Sequence, residues 1–458
     1  MPTGSGRVLL LDVAGLSYRF LQDPAALPAV RAIARDGGTV AALKPSLPAV
    51  TCSVQAAFTT GAGADRHGIV ANGFFDRDRL RASFWEQSGR LVQAERLWTA
   101  ARRKRPGFRS AMLFWQNSVG SDNDIILTPA PIHKHHGGMI HSCYAKPSDL
   151  YDDLAREIGG FDLSTYWGPR AGAASTRWIA KATLHVLERF SPDLLLTYLP
   201  HLDYNQQRWG PSDPRLARDL ADVDAAVGEI VGIARSRAYD VVLVSDYGMS
   251  DVRRAAFPNR ALREAGLLAV RTVGGMEYLD VAQSRAWAMA DHQVAHVYAE
   301  PSVLPAAREA LARLDGVEHV LDREAQKDVA VGHPRSGDLV LVSARDAWFA
   351  YPWWTDPGRA PDFASHVDIH NKPGYDPLEL FLDKRALLRL RLAVASDPAL
   401  VRGSHGRIPG PLEDHGVLVA SFPVADAGAC VTDREVYAIL ARRLGVVDDP
   451  GPGGTAST

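Results

Sequence analysis

Near the start of the chain, the run Val8-Leu9-Leu10-Leu11-Asp12 joins four apolar residues to one acid. A continuous apolar run of this length, without polar alternation, is typical of a strand buried on both faces of a parallel sheet. Four apolar residues are too few for a signal peptide or a membrane span. We therefore expect a buried first strand that ends at an acidic residue.

Three further short apolar runs are separated by segments with helical periodicity. The runs cover residues 108–114, 193–199 and 239–245, and the helical segments include 25–36, 174–190 and 214–235. Strands that alternate with helices predict a doubly wound, mostly parallel sheet flanked by helices. The fold class is therefore expected to be α/β.

Length and local composition predict one large α/β core with later additions. The chain has 458 residues, of which 46% are hydrophobic, so it can bury a full core. We expect the core over residues 8–290, a small α+β insert over 291–345, and a long aromatic and histidine-rich loop with the C-terminal part of the core over 346–448. Residues 449–458 are rich in Gly and Pro and are predicted to be a disordered tail.

Charge and cysteine content narrow the range of partners and compartments. The formal net charge is −2, which gives no general attraction to nucleic acid. Three dispersed cysteines without a Cys-x-x-Cys pair argue against a disulfide framework and fit a reducing compartment. We expect a cytoplasmic protein without a membrane span. The sequence leaves open whether it forms a homodimer.

Acidic residues follow three of the apolar runs, at Asp12, Asp203 and Asp246. Ligand sites in parallel sheets lie beyond the carboxyl ends of the strands. A single acid there is often a structural cap, but three together are the pattern of a divalent metal site. His405, in the segment 403–406, adds a nitrogen ligand of the kind that zinc prefers.

Thr51 is the candidate nucleophile. It lies in the small-residue turn Pro48-Ala49-Val50-Thr51-Cys52-Ser53, ahead of Thr60-Gly61 and of His67-Gly68-Ile69, with Asn72 three residues further on. A Thr hydroxyl is a poor nucleophile at neutral pH and needs a metal ion or a base to activate it. The segment therefore indicates a metal-activated nucleophile, with Asn72 as its oxyanion partner.

The order of these segments resembles the alkaline phosphatase superfamily, particularly its nucleotide pyrophosphatase/phosphodiesterase branch, over about residues 8–420. The likeness rests on Asp12, Thr51 with Thr60-Gly61 nine residues later, His67-Gly68-Ile69, and Asn72 at 21 residues beyond Thr51. It continues through Asp203, Asp246-Tyr247-Gly248-Met249 and Gly403-Ser404-His405-Gly406. Within that branch, the chain looks most similar to an uncharacterised bacterial subfamily.

This resemblance implies a metal-dependent hydrolase that transfers a phosphoryl group from a small phosphorylated substrate, as a phosphodiesterase, pyrophosphatase or phosphatase. It implies that Thr51 is the nucleophile and that Asn72 stabilises the transition state. It implies one or two divalent ions. The implied ligands are Asp12, Thr51, Asp203, Gln207, Asp246, Tyr247 and His405.

Two positions depart from the family pattern. Gln207 and Tyr247 stand where the family has histidines. The remaining ligands are rich in oxygen, which shifts the expected preference from zinc towards manganese, magnesium, calcium or iron. Three outcomes stay open: one ion only, other histidines that substitute in space, or a loss of activity.

Two histidine-rich segments are candidates for substrate contact. His133, His135 and His136 lie beside two glycines, and His370 is followed closely by Lys372. Each segment is either a polar loop or a binding site for a phosphate group, and the first could also bind a metal. A third segment, residues 291–296, favours a structural role.

Two alternatives to a phosphodiesterase remain. A phosphonate hydrolase or a phosphomutase would use the same scaffold. A divergent member with a binding function, or with other chemistry, would fit the loss of two histidines. A sulfatase is disfavoured, because Cys52 lacks the Cys-x-Pro-x-Arg context that sulfatases require.

Overall fold

The computed structural model describes residues 6–136, 138–388, 390, 392–424 and 429–447. The predicted tail, residues 449–458, lies outside the described residues. The α-helices, in chain order, are α1 (Pro28–Ile33), α2 (Thr51–Thr60), α3 (Ala64–His67), α4 (Leu97–Lys104), α5 (Leu150–Ile158), α6 (Ala173–Arg189), α7 (His201–Trp209), α8 (Ala217–Ser236), α9 (Pro258–Glu264), α10 (Leu304–Ala312), α11 (Arg323–Asp328), α12 (Lys384–Leu388) and α13 (Asp433–Arg443).

The strands form one large sheet and several small ones. In chain order they are β1 (Val8–Val13), β2 (Thr39–Lys44), β3 (Gly73–Asp76), β4 (Arg81–Phe84), β5 (Ser110–Leu113), β6 (Ile125–Pro129), β7 (Ile132–His133), β8 (Met139–Ile140), β9 (Cys143–Lys146), β10 (Leu194–Leu199), β11 (Asp240–Val244), β12 (Ser250–Asp251), β13 (Arg254–Ala256), β14 (Val270–Val273), β15 (Met276–Leu279), β16 (Ala286–Asp291), β17 (Val294–Ala299), β18 (Val317–Leu321), β19 (Leu339–Ser343), β20 (Ala347–Phe349), β21 (Gly403–Ser404), β22 (Gly416–Ala420) and β23 (Cys430–Thr432).

The large sheet has the strand order β23-β2-β22-β11-β1-β10-β5-β6-β9. β1 runs parallel to both of its neighbours, β10 and β11, and β5 and β6 continue in the same direction. β22 is antiparallel to β2 and β11, and β9 is antiparallel to β6. The structure therefore confirms the predicted α/β fold with a mostly parallel central sheet.

The centre of this sheet is buried on both faces. Every residue of β1 and β10 is buried, which explains why both strands are runs of apolar residues without alternation. α6 packs against β10 and α8 against β11, and α6 and α8 also pack on each other. These contacts lock the three middle strands, whose carboxyl ends support the candidate site.

A second, antiparallel sheet has the order β16-β17-β19-β18 and spans residues 286–343. It lies where the small α+β insert is predicted, although its first strand begins before residue 291. The domain boundaries therefore stay a prediction. Its first hairpin turns between Asp291 and Val294, and this turn reaches the candidate site described below.

Within the described residues, the structure contains no helix with the length and hydropathy needed to cross a membrane. The predicted cytoplasmic location stays a prediction.

Truncation in the central strand tests the role of β1. The side chain of Leu10 is fully buried, so Leu10→Ala should lower the free energy of unfolding by about 2–5 kcal/mol through lost burial and an unfilled cavity. Denaturant unfolding measures the change. Leu412→Ala is the matched control, because Leu412 is 41% exposed and its truncation should cost no more than about 0.5 kcal/mol. Equal losses in the two variants would contradict the assignment of β1 as the buried centre.

Candidate active site

Three carboxylates meet at the carboxyl-terminal edge of the central strands. Asp12 lies within β1, Asp246 follows β11, and Asp203 lies in the first turn of α7, directly after β10. All three side chains are buried. The backbone N–H of Asp246 donates a hydrogen bond of 3.0 Å to Oδ1 of Asp12, which ties two of the acids together.

The electrostatics of the three acids are unfavourable in the absence of a cation. Burial raises the pKa of Asp12 to about 7, although Gln55 and the Asp246 N–H donate hydrogen bonds that lower it. Burial raises the pKa of Asp203 to about 6. Burial also raises the pKa of Asp246 well above its ordinary value, and the nearby Asp12 adds to this rise. Clusters of buried acids with raised pKa values are typical of sites where a metal ion supplies compensating charge.

Unsatisfied oxygen atoms show that the residues present fit a divalent cation. Among the described residues, both carboxylate oxygens of Asp246 and Oδ1 of Asp203 are buried without a hydrogen-bond partner. Such atoms are costly unless an ion or another partner compensates them. In the part of the chain that the structure describes, no three His, Cys, Asp or Glu side chains are already close enough together to form a complete metal site. The donor chemistry therefore fits an ion, although these described residues form no preformed cage.

Thr51 is the first residue of α2, and its side chain is buried beside the acids. Its hydroxyl lies 3.5 Å from the hydroxyl of Tyr198, which projects from β10. Burial raises the pKa of both Asp246 and Tyr247, and the adjacent Thr51 hydroxyl partly offsets the rise in each case. The N-terminus of α2 adds the positive end of a helix dipole at the same position.

His405 is fastened to the loop that precedes Thr51. Its Nδ1 lies 2.8 Å from the carbonyl oxygen of Ala49, and the N–H of Ala49 donates to the carbonyl of Gly406 at 2.8 Å. Burial holds the pKa of His405 well below its ordinary value, which favours the neutral imidazole. The carbonyl can only accept, so Nδ1 carries the proton and Nε2 keeps a lone pair. This Nε2 lies 3.9 Å from Oδ1 of Asp203.

The two replaced histidine positions lie in the same cluster. Nε2 of Gln207 donates to Oδ2 of Asp203 at 2.5 Å, while its Oε1 accepts from the hydroxyl of Tyr375 at 2.9 Å. The ring of Tyr247 stacks on His405, with centroids 3.4 Å apart and an interplanar angle of 3°. Both side chains thus position neighbouring groups of the cluster, and their predicted role as metal ligands stays a prediction.

Asn72 is held from both sides. Its Oδ1 accepts a hydrogen bond of 3.1 Å from the N–H of Cys52, the residue after Thr51. Its Nδ2 donates to Asp291 at 3.2 Å, and its backbone N–H donates to the same carboxylate at 2.7 Å. Both Cys52 and Asn72 line an open cleft, together with Phe74 and Glu86. Asn72 is therefore fixed beside the start of α2, on the wall of an open cleft.

Sequence reasoning missed several residues of this cluster. The segment 291–296 favoured a structural role, and His296 agrees with it, since its Nε2 lies 2.9 Å from the backbone carbonyl of Val70. Asp291 and His292, however, lie against Asn72 and His405. The only local signal is a histidine at the tip of a two-residue hairpin, where glycine or asparagine is usual.

The residues predicted to contact substrate differ in their exposure to solvent. His133, His135 and His136 are exposed on and after β7, and the rings of His133 and His370 lie 6.2 Å apart. Lys372 is buried, and its ammonium forms ion pairs with Asp376 at 2.8 Å and Glu379 at 2.6 Å. Its charge is therefore already paired within the protein. The roles of these five residues in substrate binding stay predictions.

A family comparison agrees with this site. Residues 8–376 match the model of a family described as type I phosphodiesterase / nucleotide pyrophosphatase. The chain belongs to this family. The predicted resemblance to the phosphodiesterase branch of the alkaline phosphatase superfamily is thereby confirmed. The family supports a phosphoryl-transfer hydrolase, and its members generally depend on divalent metal ions.

Two solved structures share the fold of this chain. Murine ectonucleotide pyrophosphatase/phosphodiesterase 5 is 16% identical, with a TM-score of 0.60 over 98% of this chain and 97% of that chain. Phosphonoacetate hydrolase from Sinorhizobium meliloti 1021, in complex with phosphonoformate, is 16% identical, with a TM-score of 0.61 over 96% of this chain and 95% of that chain. At this level of identity the likeness establishes the fold alone.

One curated relative is similar over part of its length. An uncharacterized pyrophosphatase/phosphodiesterase from Schizosaccharomyces pombe (strain 972) is 25% identical over 224 residues. The aligned region covers 45% of this chain and only 38% of the relative.

The raised pKa values predict an unusual pH dependence for the metal-free protein. The folded state binds protons at Asp12 and Asp203 that the unfolded state has released, so stability should fall as pH rises from about 4 to about 7. Thermal unfolding of chelator-treated protein at pH 5 and pH 7.5 measures this. Added divalent metal should reverse the trend, because ligands must be deprotonated to bind it.

Asp12→Asn provides the control for this pH experiment. Because Asn does not titrate, the metal-free variant should lose less stability than the wild type between pH 5 and pH 7.5. An unchanged dependence in this variant would show that Asp12 does not contribute to it.

Proposed function

We propose that the protein is a metal-dependent phosphodiesterase or pyrophosphatase in which Thr51 is the nucleophile. The observation that carries this proposal is the position of the Thr51 hydroxyl, at the N-terminus of α2 and beside the unsatisfied oxygens of Asp246. A nucleophile, an anion-binding helix end and unpaired carboxylates together suit attack on a phosphorus centre. The membership of the family supports the same reaction class.

The proposed metal ligands divide into two groups. Asp12 and Asp246 would hold one ion beside Thr51, and Asp203 and His405 would hold a second. A bound divalent ion supplies positive charge that lowers the pKa of the attacking hydroxyl and stabilises the charge on the leaving oxygen. The raised pKa values and unpaired oxygens of the acids support this assignment.

The chain's own residues perform the remaining steps. Oγ1 of Thr51 attacks phosphorus in line with the leaving oxygen. A covalent bond forms between Thr51 and phosphorus, which keeps the remaining substituent of the substrate, while the bond to the leaving oxygen breaks and that oxygen takes up the proton that the hydroxyl releases. Water then attacks the same phosphorus atom, which releases the phosphate-containing product and returns a proton to Thr51. The N-terminus of α2 and Nδ2 of Asn72 bind the non-bridging oxygens, and Asp291 orients Asn72 through two hydrogen bonds.

The substrate class is tested with a panel. A phosphodiester, a pyrophosphate, a phosphomonoester and a phosphonate separate the proposal from a phosphonate hydrolase on the same scaffold. Among the solved structures of similar fold, one is an inactive form of the murine enzyme in complex with AMP, and another is a phosphonate hydrolase. A protein that binds no metal and hydrolyses none of the four compounds would instead have a binding function.

The nucleophile is tested by Thr51→Ala. Removal of the hydroxyl should lower kcat by about 10³-fold or more, because the covalent step is lost. Metal content, measured by elemental analysis, should change little, since the proposed carboxylate ligands remain. Thr60→Ala is the matched control on the same helix, because the Thr60 hydroxyl bonds only backbone groups: it donates to the carbonyl of Ala56 and accepts from the N–H of Ala62. Full activity in Thr51→Ala would end the assignment.

The oxyanion partner is tested by Asn72→Ala. Loss of one donor to a developing charge typically lowers kcat by about 10²–10³-fold, and we expect a similar effect here. The measurement is kcat and KM with the preferred member of the panel. If Asn72 served only to hold Cys52 and Asp291, the variant would lose thermal stability while its kcat stayed within about threefold of the wild type.

A further inference from the structure

Four rings lie in a row along the site, with stacked outer pairs and a middle pair tilted by 37°. Tyr247 stacks on His405 with centroids 3.4 Å apart, His405 lies 3.9 Å from His292, and His292 stacks on Tyr375 at 3.6 Å. The two histidines are the inner members of this row, and both are buried. The row of rings thus places a second imidazole directly beside His405.

Asp291 orients the imidazole of His292. Nδ1 of His292 lies 2.7 Å from Oδ1 of Asp291. A carboxylate paired with Nδ1 selects the tautomer in which Nε2 carries the lone pair. The same arrangement, a carboxylate behind a histidine, is the usual support of a histidine that binds a metal ion.

The backbone at His292 is held in a strained conformation. Its φ angle is +59°, in the left-handed region, at the turn between β16 and β17. Two hydrogen bonds fasten this turn: Phe349 donates to the carbonyl of His292 at 2.7 Å, and Gln293 donates to the carbonyl of His405 at 2.8 Å. Non-glycine residues in this region persist where surrounding structure enforces them, and they concentrate at functional sites. The turn is therefore built to hold His292 against His405.

A chain of hydrogen bonds connects the ring on which His292 stacks to Asp203. The hydroxyl of Tyr375, on which His292 stacks, bonds Gln207, and Gln207 bonds Oδ2 of Asp203. The other oxygen of Asp203, Oδ1, is buried without a partner and lies 3.9 Å from Nε2 of His405. Metal bonds to nitrogen and oxygen are about 2.0–2.2 Å long, so one ion between these two atoms can reach both.

We propose that His292 is a metal ligand that joins Asp203 and His405 and replaces the imidazole missing at Gln207. This inference rests on the proposed function, because it concerns the second of the two ions. The resulting set has two nitrogens and one oxygen, which suits zinc better than the oxygen-rich set read from the sequence. Gln207 then supports Asp203 by a hydrogen bond, and Tyr375 and Tyr247 hold the two imidazoles between their rings.

Metal binding by His292→Gln tests the proposal. Full-length protein is stripped with a chelator, titrated with zinc, and separately reconstituted with Co²⁺ for visible absorption spectroscopy. We expect His292→Gln to lose about one ion per chain at limiting zinc, to bind it about 100-fold or more weakly, and to show a weaker and shifted Co²⁺ spectrum. Asp291→Asn should weaken zinc binding by about 10–100-fold, because it removes the carboxylate that orients the imidazole of His292.

His319→Gln is the matched control, because His319 is an exposed histidine of the same small sheet. It should leave zinc content and the Co²⁺ spectrum unchanged. His292→Asp, which restores a ligand, should recover part of the zinc affinity and guards against a folding defect in His292→Gln. Wild-type zinc affinity and an unchanged Co²⁺ spectrum in His292→Gln would overturn the proposal.

The same samples separate this inference from the proposed function. If the wild type binds metal through His292 but hydrolyses no member of the substrate panel, the proposed function fails and the ligand assignment stands. If the wild type hydrolyses a diester while His292→Gln keeps both ions, the ligand assignment fails and the proposed function stands.

Discussion

The burial of three carboxylates at one edge of a parallel sheet is the constraint on which the rest of the site depends. Asp12 lies near the end of β1, and Asp203 and Asp246 follow the two strands beside it, so the three carboxyl groups meet where water is excluded. An uncompensated cluster of this kind would be strongly destabilising. Positive charge would stabilise the cluster, and two features agree with this: α2 begins at Thr51, and carboxylate oxygens of Asp203 and Asp246 lack hydrogen-bond partners.

The two departures from the family pattern change how the second half of the site is assembled. Gln207 and Tyr247 each retain contact with the cluster, the first by a hydrogen bond to Asp203 and the second by stacking on His405. In this way they position neighbouring groups through packing and hydrogen bonds. His292 comes from a different sheet, and its ring lies 3.9 Å from that of His405. It is the imidazole that we propose in place of the one missing at Gln207.

Much of the fold and part of the site were predictable from local patterns. Unbroken apolar runs such as residues 8–11 predict buried parallel strands, and the acids that follow them mark the edge of the sheet where ligands bind. The site around His292 was not predictable in the same way. A hairpin tip carries no periodic signal, and the pairing of Asp291 with Asn72 joins residues 219 positions apart. Lys372 shows the opposite case, in which a cation that looked free in sequence is neutralised by Asp376 and Glu379.

The order of residues along the chain was enough to determine the α/β class and the acids at the carboxyl ends of the central strands. These features follow from the short-range hydrophobic pattern and from the geometry of parallel strands. Both rules apply to any chain that carries such a pattern. The folded arrangement alone decided which imidazole accompanies His405 and which polar groups remain unpaired. Those outcomes depend on contacts between the central sheet and the hairpin of the small sheet, and no local pattern encodes the distance between two elements that meet only after folding.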